Sequence, residues 1–462
     1  MKQKTLKDII KISGFGIHTG VKTNVILKPA KEDTGIIFIR TDIKDKPKIK
    51  ALVENVFSTE RSTNLKENNA EIKTVEHLLA SIAGAEIDNL IIEVDNIEIP
   101  ILDGSAKEYT KLIRKTGTIY QNKTKKIFEI KRKISIIDND TGTQLIATPA
   151  NEYQIDVEID FNSEALKKQK ASLCSIKNFN SEISSSRTFC FFNELEILID
   201  KDLIKGGDLD NAIVIAEKNI NKDKLQKISK LFKKENLEVS NEGILNNLTL
   251  RYENEPARHK LLDVIGDLSL LGVAIKGKIK AIKPGHKNNT KFAKYLSKIM
   301  NEEMKKTAPI IDFTKNPLYD KEKIKTILPH RKPFLFIDEI REIGEDYIIG
   351  VKFVKKEEEY FKGHFPQEPV MPGVLQLETM AQAGGVLILS KEKNPENFLT
   401  FFMKIDNAKF KKKVIPGDIL IFRLNLISPI RRGLCHMHGK GFVNGKIVVE
   451  ADLLAQISPK NI

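Results

Sequence analysis

The sequence predicts an α+β fold in which separate compact units follow one another along 462 residues. Three observations carry this expectation. The chain is too long for one ordinary core, since domains usually run about 100–200 residues. Short β-branched runs alternate with helical periods up to residue 306. A stretch without helical period, bearing Pro309 and Pro317, then precedes a region with one long apolar helix among many strands.

In chain order, residues 35–40 and 89–94 read as strands, and residues 74–84 as a helix with Thr74 as N-cap and Gly84 as its stop. A polar, basic stretch at 121–126 interrupts the pattern, and strand-like runs follow from 127 to 161, separated by Asn139, Asp140 and Gly142. This divides the first half into subdomains 1–122 and 123–305. Helical periods run from after Ile244 to Leu271 and from Asn288 to Lys306. Residues 306–318 read as a linker and 319–462 as the last domain, with strands at 334–340 and 347–354 and a helix at 373–390 led by Pro372 and Gly373.

Composition narrows the function classes. With 41% hydrophobic and 30% charged residues the chain has the make-up of a soluble globular protein. Residues 1–12 alternate Lys with isolated apolar residues, so no secretory signal is expected there, and no apolar run approaches the ~20 residues of a membrane span. Cys174, Cys190 and Cys435 are odd in number and widely spaced, so a reducing compartment, the cytoplasm, is expected. The net charge of +14 is spread along the chain, and the basic stretches 123–126 and 409–413 lack the interleaved aromatics of single-strand binders. No nucleic-acid partner is expected.

Two constellations carry chemistry. In the first, Glu76 adjoins His77 in a helical segment, pairing a proton-handling group with a metal-ligating one. Further on, His259, Asp263 and Asp267 fall at i, i+4 and i+8, on one helix face. Two His and one Asp suit an open, three-ligand zinc site, whose bound water has its pKa lowered toward about 7. His286 follows Gly285 in a loop and is placed to act as general acid or to stabilise an oxyanion, with Asp267 to orient it. Spacing alone also admits an i,i+4 His/Asp pair that is only a helix contact.

The strings Ser13-Gly-Phe-Gly-Ile-His-Thr-Gly20, Thr74-Val-Glu-His-Leu78, Ile99-Pro-Ile-Leu-Asp-Gly-Ser105, Ser186-Arg-Thr-Phe189, Arg258 to Asp267 and Gly285-His286 together resemble the successive motifs of the UDP-3-O-acyl-N-acetylglucosamine deacetylases. The resemblance covers about residues 1–304. It implies a two-unit α/β sandwich in which His77, His259 and Asp263 hold one Zn2+ per chain. Glu76 would be the general base, His286 the acid, and Thr188 a partner of zinc in polarising the acetamide carbonyl. Lys260 would meet the diphosphate of a UDP-sugar lipid precursor, and Ile17 and Phe189 would line the passage for its acyl chain. Cys190 stands where the family commonly has Gly, and the Ser- and Asn-rich stretch 172–185 has no clear register with it.

In the second constellation, His364 lies in a turn-like Gly363-His-Phe-Pro366 segment before a helix bearing Glu378. Pro372 suits a first helical turn, and Gly373 lets a carbonyl approach the free N–H groups there. Glu378 and Gln382 share a face of an otherwise apolar helix. A packed turn histidine and a merely paired glutamate remain the bland alternative.

Leu328-Pro-His-Arg-Lys-Pro-Phe-Leu335, the stretch His364 to Gln382, Ile405 to Phe410 and Val414 to Asp418 resemble the 3-hydroxyacyl-[acyl-carrier-protein] dehydratases over about residues 318–458. This implies a hot-dog fold, an acyl carrier protein as partner, and a homo-oligomer, dimer or hexamer, in which the histidine of one protomer meets the glutamate of another. His364 would remove the α proton, Glu378 would assist loss of the 3-hydroxyl, and the Gly373 N–H would hold the thioester carbonyl. Thr379 replaces the more frequent Ala. A hot-dog thioesterase and a non-catalytic module that recruits carrier protein are the alternatives. Both halves would handle 3-hydroxyacyl chains, at the fork between lipid A and fatty acid synthesis.

Overall fold

A computed structural model of the chain describes residues 1–195, 205–216, 222–232, 234, 237–240, 243–245 and 248–460. Its backbone divides into two compact units, Met1–Met300 and Asn301–Ile462.

The first unit is built on two sheets. One has the strand order Ile10–Phe15, Lys22–Pro29, Leu90–Val94, Ile36–Arg40, Lys48–Lys50. The other runs Ile134–Asp138, Thr143–Thr148, Ala274–Ile282, Tyr153–Ile159, Gln169–Leu173, with Ile127–Glu129 joined in parallel to Ala274–Ile282. Strict alternation, as in Thr143–Thr148, turns one face of each strand inward. Two helices, Glu76–Gly84 and Glu255–Ser269, pack against each other. Gly266 lets them touch, because a Cβ there would come within 2.2 Å of the Glu76 carbonyl oxygen. Leu78, Leu261, Leu262 and Val264 are wholly buried beside this contact. The crossing thus brings Glu76 and His77 to the helix that carries His259 and Asp263.

Several local expectations give way to tertiary context. Thr74 does not cap the first helix: its φ is 57°, its hydroxyl donates to Glu98 Oε1 at 2.9 Å, and Val75 stands at the cap instead. The helix expected from Ile244 begins only at Glu255, with Pro256 in its first turn. Ile244 and Leu245 instead make β-bridges with Ile215 and Val239. The polar stretch at 121–126 is strand as far as Thr124 and irregular only at 125–126. Thr118–Thr124 is a strand paired antiparallel with Lys2–Leu6, and its side chains are almost all exposed, so no apolar alternation marks it.

The second unit is a six-stranded antiparallel sheet in the order Glu339–Ile343, Tyr347–Phe353, Ile419–Leu426, Leu434–Val443, Lys446–Pro459, Phe398–Phe410. It packs around the helix Gly373–Leu389, giving the hot-dog arrangement and an α+β fold. The helix is apolar nearly all round because strands enclose it. Gly384 and Gly439 set the close approach, since a Cβ at either would meet the sulfur of Met437 or Met380 at 2.8 or 2.2 Å. The expected strand at 334–340 starts later, at Glu339, because the backbone at Phe336 and Ile337 bonds the side chain of Gln382 instead of a neighbouring strand.

Candidate active sites

His77, His259 and Asp263 are buried, and one ligand atom from each lies within 4.8 Å of the others. His77 Nε2 and His259 Nε2 stand 3.8 and 3.5 Å from Asp263 Oδ1. The Nδ1 of His259 faces the carbonyl oxygen of Ser186 at 3.1 Å. A carbonyl only accepts, so Nδ1 carries the hydrogen and the Nε2 lone pair is turned toward Asp263. Asp263 Oδ2 accepts from Lys260 Nζ at 2.9 Å, while its buried Oδ1 has no hydrogen-bond partner. A buried carboxylate oxygen without a hydrogen bond, facing two imidazole nitrogens, is costly unless a cation sits among them, so the donor set fits a divalent metal.

Electrostatics agree with this arrangement. Burial would raise the Asp263 carboxyl, but Lys260, His259, His286 and His77 together hold it well below the usual carboxylate range. Burial, reinforced by His259, pushes His77 down to about 3, and burial lowers His259 as well, so both rings are neutral and able to ligate.

Two further groups border the triad. Burial raises Glu76 to about 7, against the opposing charge of His286. Burial alone would lower His286, yet Asp267 and Asp263 raise it to about 9. His286 Nδ1 lies 2.9 Å from Asp267 Oδ2, and its Nε2 lies 3.8 Å from Glu76 Oε1. A cavity of about 350 Å³ opens over this cluster, lined among others by Ile17, His18, Thr188, Phe189, Lys260 and His286. Lys260 Nζ stands 5.5 Å above the ring centre of Phe189. Its ammonium is therefore shared between Asp263 and the pocket wall.

Sequence reasoning missed the supports of this site. Glu98, fully buried, accepts from Thr19 N, Thr19 Oγ1 and Thr74 Oγ1 and so ties the His18 loop to the start of the first helix. Thr63 donates its N–H to Glu76 Oε2 at 3.0 Å and its hydroxyl to Asp267 Oδ1, and Asn289 donates to Asp267 Oδ2 at 2.8 Å. Arg187 and Glu255 form a buried two-pronged ion pair that fixes the Ser186–Phe189 segment to the helix of His259. These contacts join distant parts of the chain, and no spacing signals them.

In the second unit, His364 Nδ1 faces the Val370 carbonyl at 2.8 Å, which places the hydrogen on Nδ1 and leaves Nε2 as the basic nitrogen. Gly373 opens its helix, and a Cβ there would strike the ring of Phe410 at 2.7 Å. Glu378 accepts from Gln382 Nε2 at 2.9 Å and stands 3.5 Å from His330 Nε2. Glu378, His330 and Gln382 border an apolar cavity of about 80 Å³ with Phe401, Phe402 and Met437. Among the described residues, no hydrogen bond or ion pair joins His364 to Glu378 within one chain.

A family model described as UDP-3-O-acyl N-acetylglycosamine deacetylase matches residues 3–235 and 229–298, and one described as FabA-like domain matches residues 328–452. Proteins named bifunctional enzyme LpxC/FabZ match end to end. That of Porphyromonas gingivalis is 44% identical over 99% of this chain and 98% of its own, and that of Bacteroides thetaiotaomicron 45% identical over 99% of each. The chain belongs to the bifunctional LpxC/FabZ family. The corresponding protein of Chlorobaculum tepidum is 38% identical, again over 99% of both chains. Membership in the LpxC/FabZ family makes the first unit metal-dependent, and His77, His259 and Asp263 are the one cluster among the described residues able to hold an ion.

Proposed function

We propose that this chain performs two reactions of acyl-chain metabolism: hydrolysis of the N-acetyl group of UDP-3-O-(3-hydroxyacyl)-N-acetylglucosamine, and dehydration of (3R)-hydroxyacyl-[acyl-carrier-protein] to the trans-2-enoyl form. It is an amide hydrolase joined to a hydro-lyase, serving lipid A and fatty acid biosynthesis. The observation that carries the reading is the buried convergence of His77, His259 and the partnerless Asp263 Oδ1 beside Glu76 and His286.

In the first reaction His77, His259 and Asp263 hold the ion, read here as zinc, one per chain. When bound, it supplies Lewis acidity at the acetamide carbonyl and lowers the pKa of water. Glu76 takes a proton from the water that attacks the carbonyl carbon, and the Thr188 hydroxyl donates to the carbonyl oxygen. As the C–N bond breaks, His286 gives its proton to the departing nitrogen, releasing acetate and a free amine. Asp267 keeps His286 charged and oriented for that transfer. Ile17 and Phe189 guide the acyl chain, and Lys260 lends its charge to the substrate's diphosphate while pairing with Asp263.

In the second reaction His364 Nε2 removes the α proton, the Gly373 N–H holds the thioester oxygen, and Glu378 protonates the leaving 3-hydroxyl. His364 and Glu378 each find other partners within the chain, which supports a homo-oligomer, dimer or hexamer, in which one copy's His364 meets another's Glu378. The exposed apolar strand Phe398–Phe410, with Met403 60% exposed, supports the same reading. Among the described residues no helix is long and apolar enough to cross a membrane. Three free cysteines and the carrier-protein substrate support a cytoplasmic location.

The test uses the full chain. Glu76→Gln removes deacetylation and leaves dehydration, and Glu378→Gln does the reverse. Release of free carrier protein in place of an enoyl product would favour a thioesterase, and loss of both reactions in either variant would contradict two separate sites.

A further inference from the structure

The Glu378 carboxyl has two oxygens, and the protein treats them differently. Gln382 Nε2 donates to Oε1 at 2.9 Å, and His330 Nε2 faces the same oxygen at 3.5 Å. Gln382 has no freedom to turn over, since its own carbonyl oxygen accepts from the N–H groups of Phe336 and Ile337 at 2.8 and 3.2 Å and its nitrogen also reaches the Phe334 carbonyl. The His330 ring lies parallel to that of Phe334, 17° between planes, with 6.4 Å between centroids. Its other nitrogen, Nδ1, is buried and has no partner. Arg331, the charged neighbour, is turned away: its Nη1 donates to the carbonyls of Leu328 and His330.

We propose that His330 is a positioning residue of the dehydratase site, which with Gln382 aims N–H donors at Glu378 Oε1 so that Oε2 carries the acidic proton toward the substrate's 3-hydroxyl. The inference rests on the dehydratase reading of this unit. Burial lowers the His330 pKa, opposed by Glu378 and helped by Arg331, so the ring is neutral at pH 7 and holds one N–H. A nitrogen facing a carboxyl oxygen is the better place for that hydrogen, which leaves Nδ1 as the partnerless acceptor. With Oε1 engaged as acceptor, Oε2 is the oxygen left to hand a proton to the substrate. In the reaction the C2 proton passes to His364 and the C3–O bond breaks. The Oε2 proton joins the departing hydroxyl as water, and C2=C3 forms. Return of one proton from His364 to Glu378 resets the pair.

Two isosteric variants of the full chain test this with a 3-hydroxyacyl carrier-protein substrate. Glutamine places an N–H near the position of the histidine Nε2, and asparagine near that of Nδ1. His330→Gln retains at least about half of kcat, whereas His330→Asn loses about tenfold in kcat with KM changed less than about twofold, as expected from one misaligned donor. Equal kcat in the two variants, whether high or low, overturns the positioning role, because a packing role does not distinguish them. A KM change in His330→Asn as large as its kcat change overturns it as well. Glu378→Gln in the same assay separates the two claims: full turnover there sinks the dehydratase reading itself.

Discussion

His286 Nδ1 sits 2.9 Å from Asp267 Oδ2, and this pairing, with Asp263 nearby, raises His286 to about 9 although burial alone would lower it. Below pH 9 the ring is charged and able to give a proton; above it, it is not. Glu76, raised to about 7 chiefly by burial, must instead lose its proton to act as a base. The deacetylase kcat/KM therefore rises as pH increases through about 7 and falls through about 9. Asp267→Asn removes the charge that raises His286, so the alkaline limb moves to lower pH and kcat at neutral pH drops at least about tenfold. A pH–rate profile of the two proteins checks this, and an unmoved alkaline limb would assign that limb to another group.

A second prediction concerns assembly. Met403 and Ile405 are exposed on the edge strand Phe398–Phe410 and lie outside the lining of the Glu378 cavity. Met403→Lys with Ile405→Lys places charge on an apolar edge. The solution mass from light scattering falls to that of one chain, dehydration drops by about a hundredfold or more, and deacetylation is retained. Full dehydratase activity from a monomer would show that one chain completes the site alone.

A third prediction is about stability. Arg187 and Glu255 are 4% and 0% exposed, and Arg187 Nη2 also donates to the Thr249 carbonyl. Arg187→Ala leaves a buried carboxylate without its partner, which costs about 3–5 kcal/mol. The first thermal transition moves to lower temperature, and deacetylation is lost before dehydration as the protein is warmed. Unfolding of the variant at the wild-type temperature would mean that the backbone N–H groups of Arg187 and Arg251 suffice for Glu255.

The two constellations were legible because their chemistry is local. His259 and Asp263 share a helical period, Glu76 adjoins His77, and His364 precedes a Pro-Gly helix start. Their joining was legible only through resemblance, since no pattern says that a helix at 76 crosses one at 259 over Gly266. What remained hidden acts through the backbone or across the fold. Ser186 works through its carbonyl, Glu98 through two backbone N–H groups and two hydroxyls, and His330 through a ring that spacing never links to Glu378. The strand Thr118–Thr124 escaped for another reason: a strand whose own side chains are exposed on both faces has no apolar alternation to read.

The most direct measurement is metal content together with deacetylase turnover of the purified Asp263→Ala protein, with dehydration as an internal reference. Removing the one carboxylate of the triad should lower bound metal from about one ion per chain to a small fraction and reduce deacetylation by about a thousandfold or more, with dehydration unchanged. Metal retained in full together with undiminished deacetylation would contradict the account.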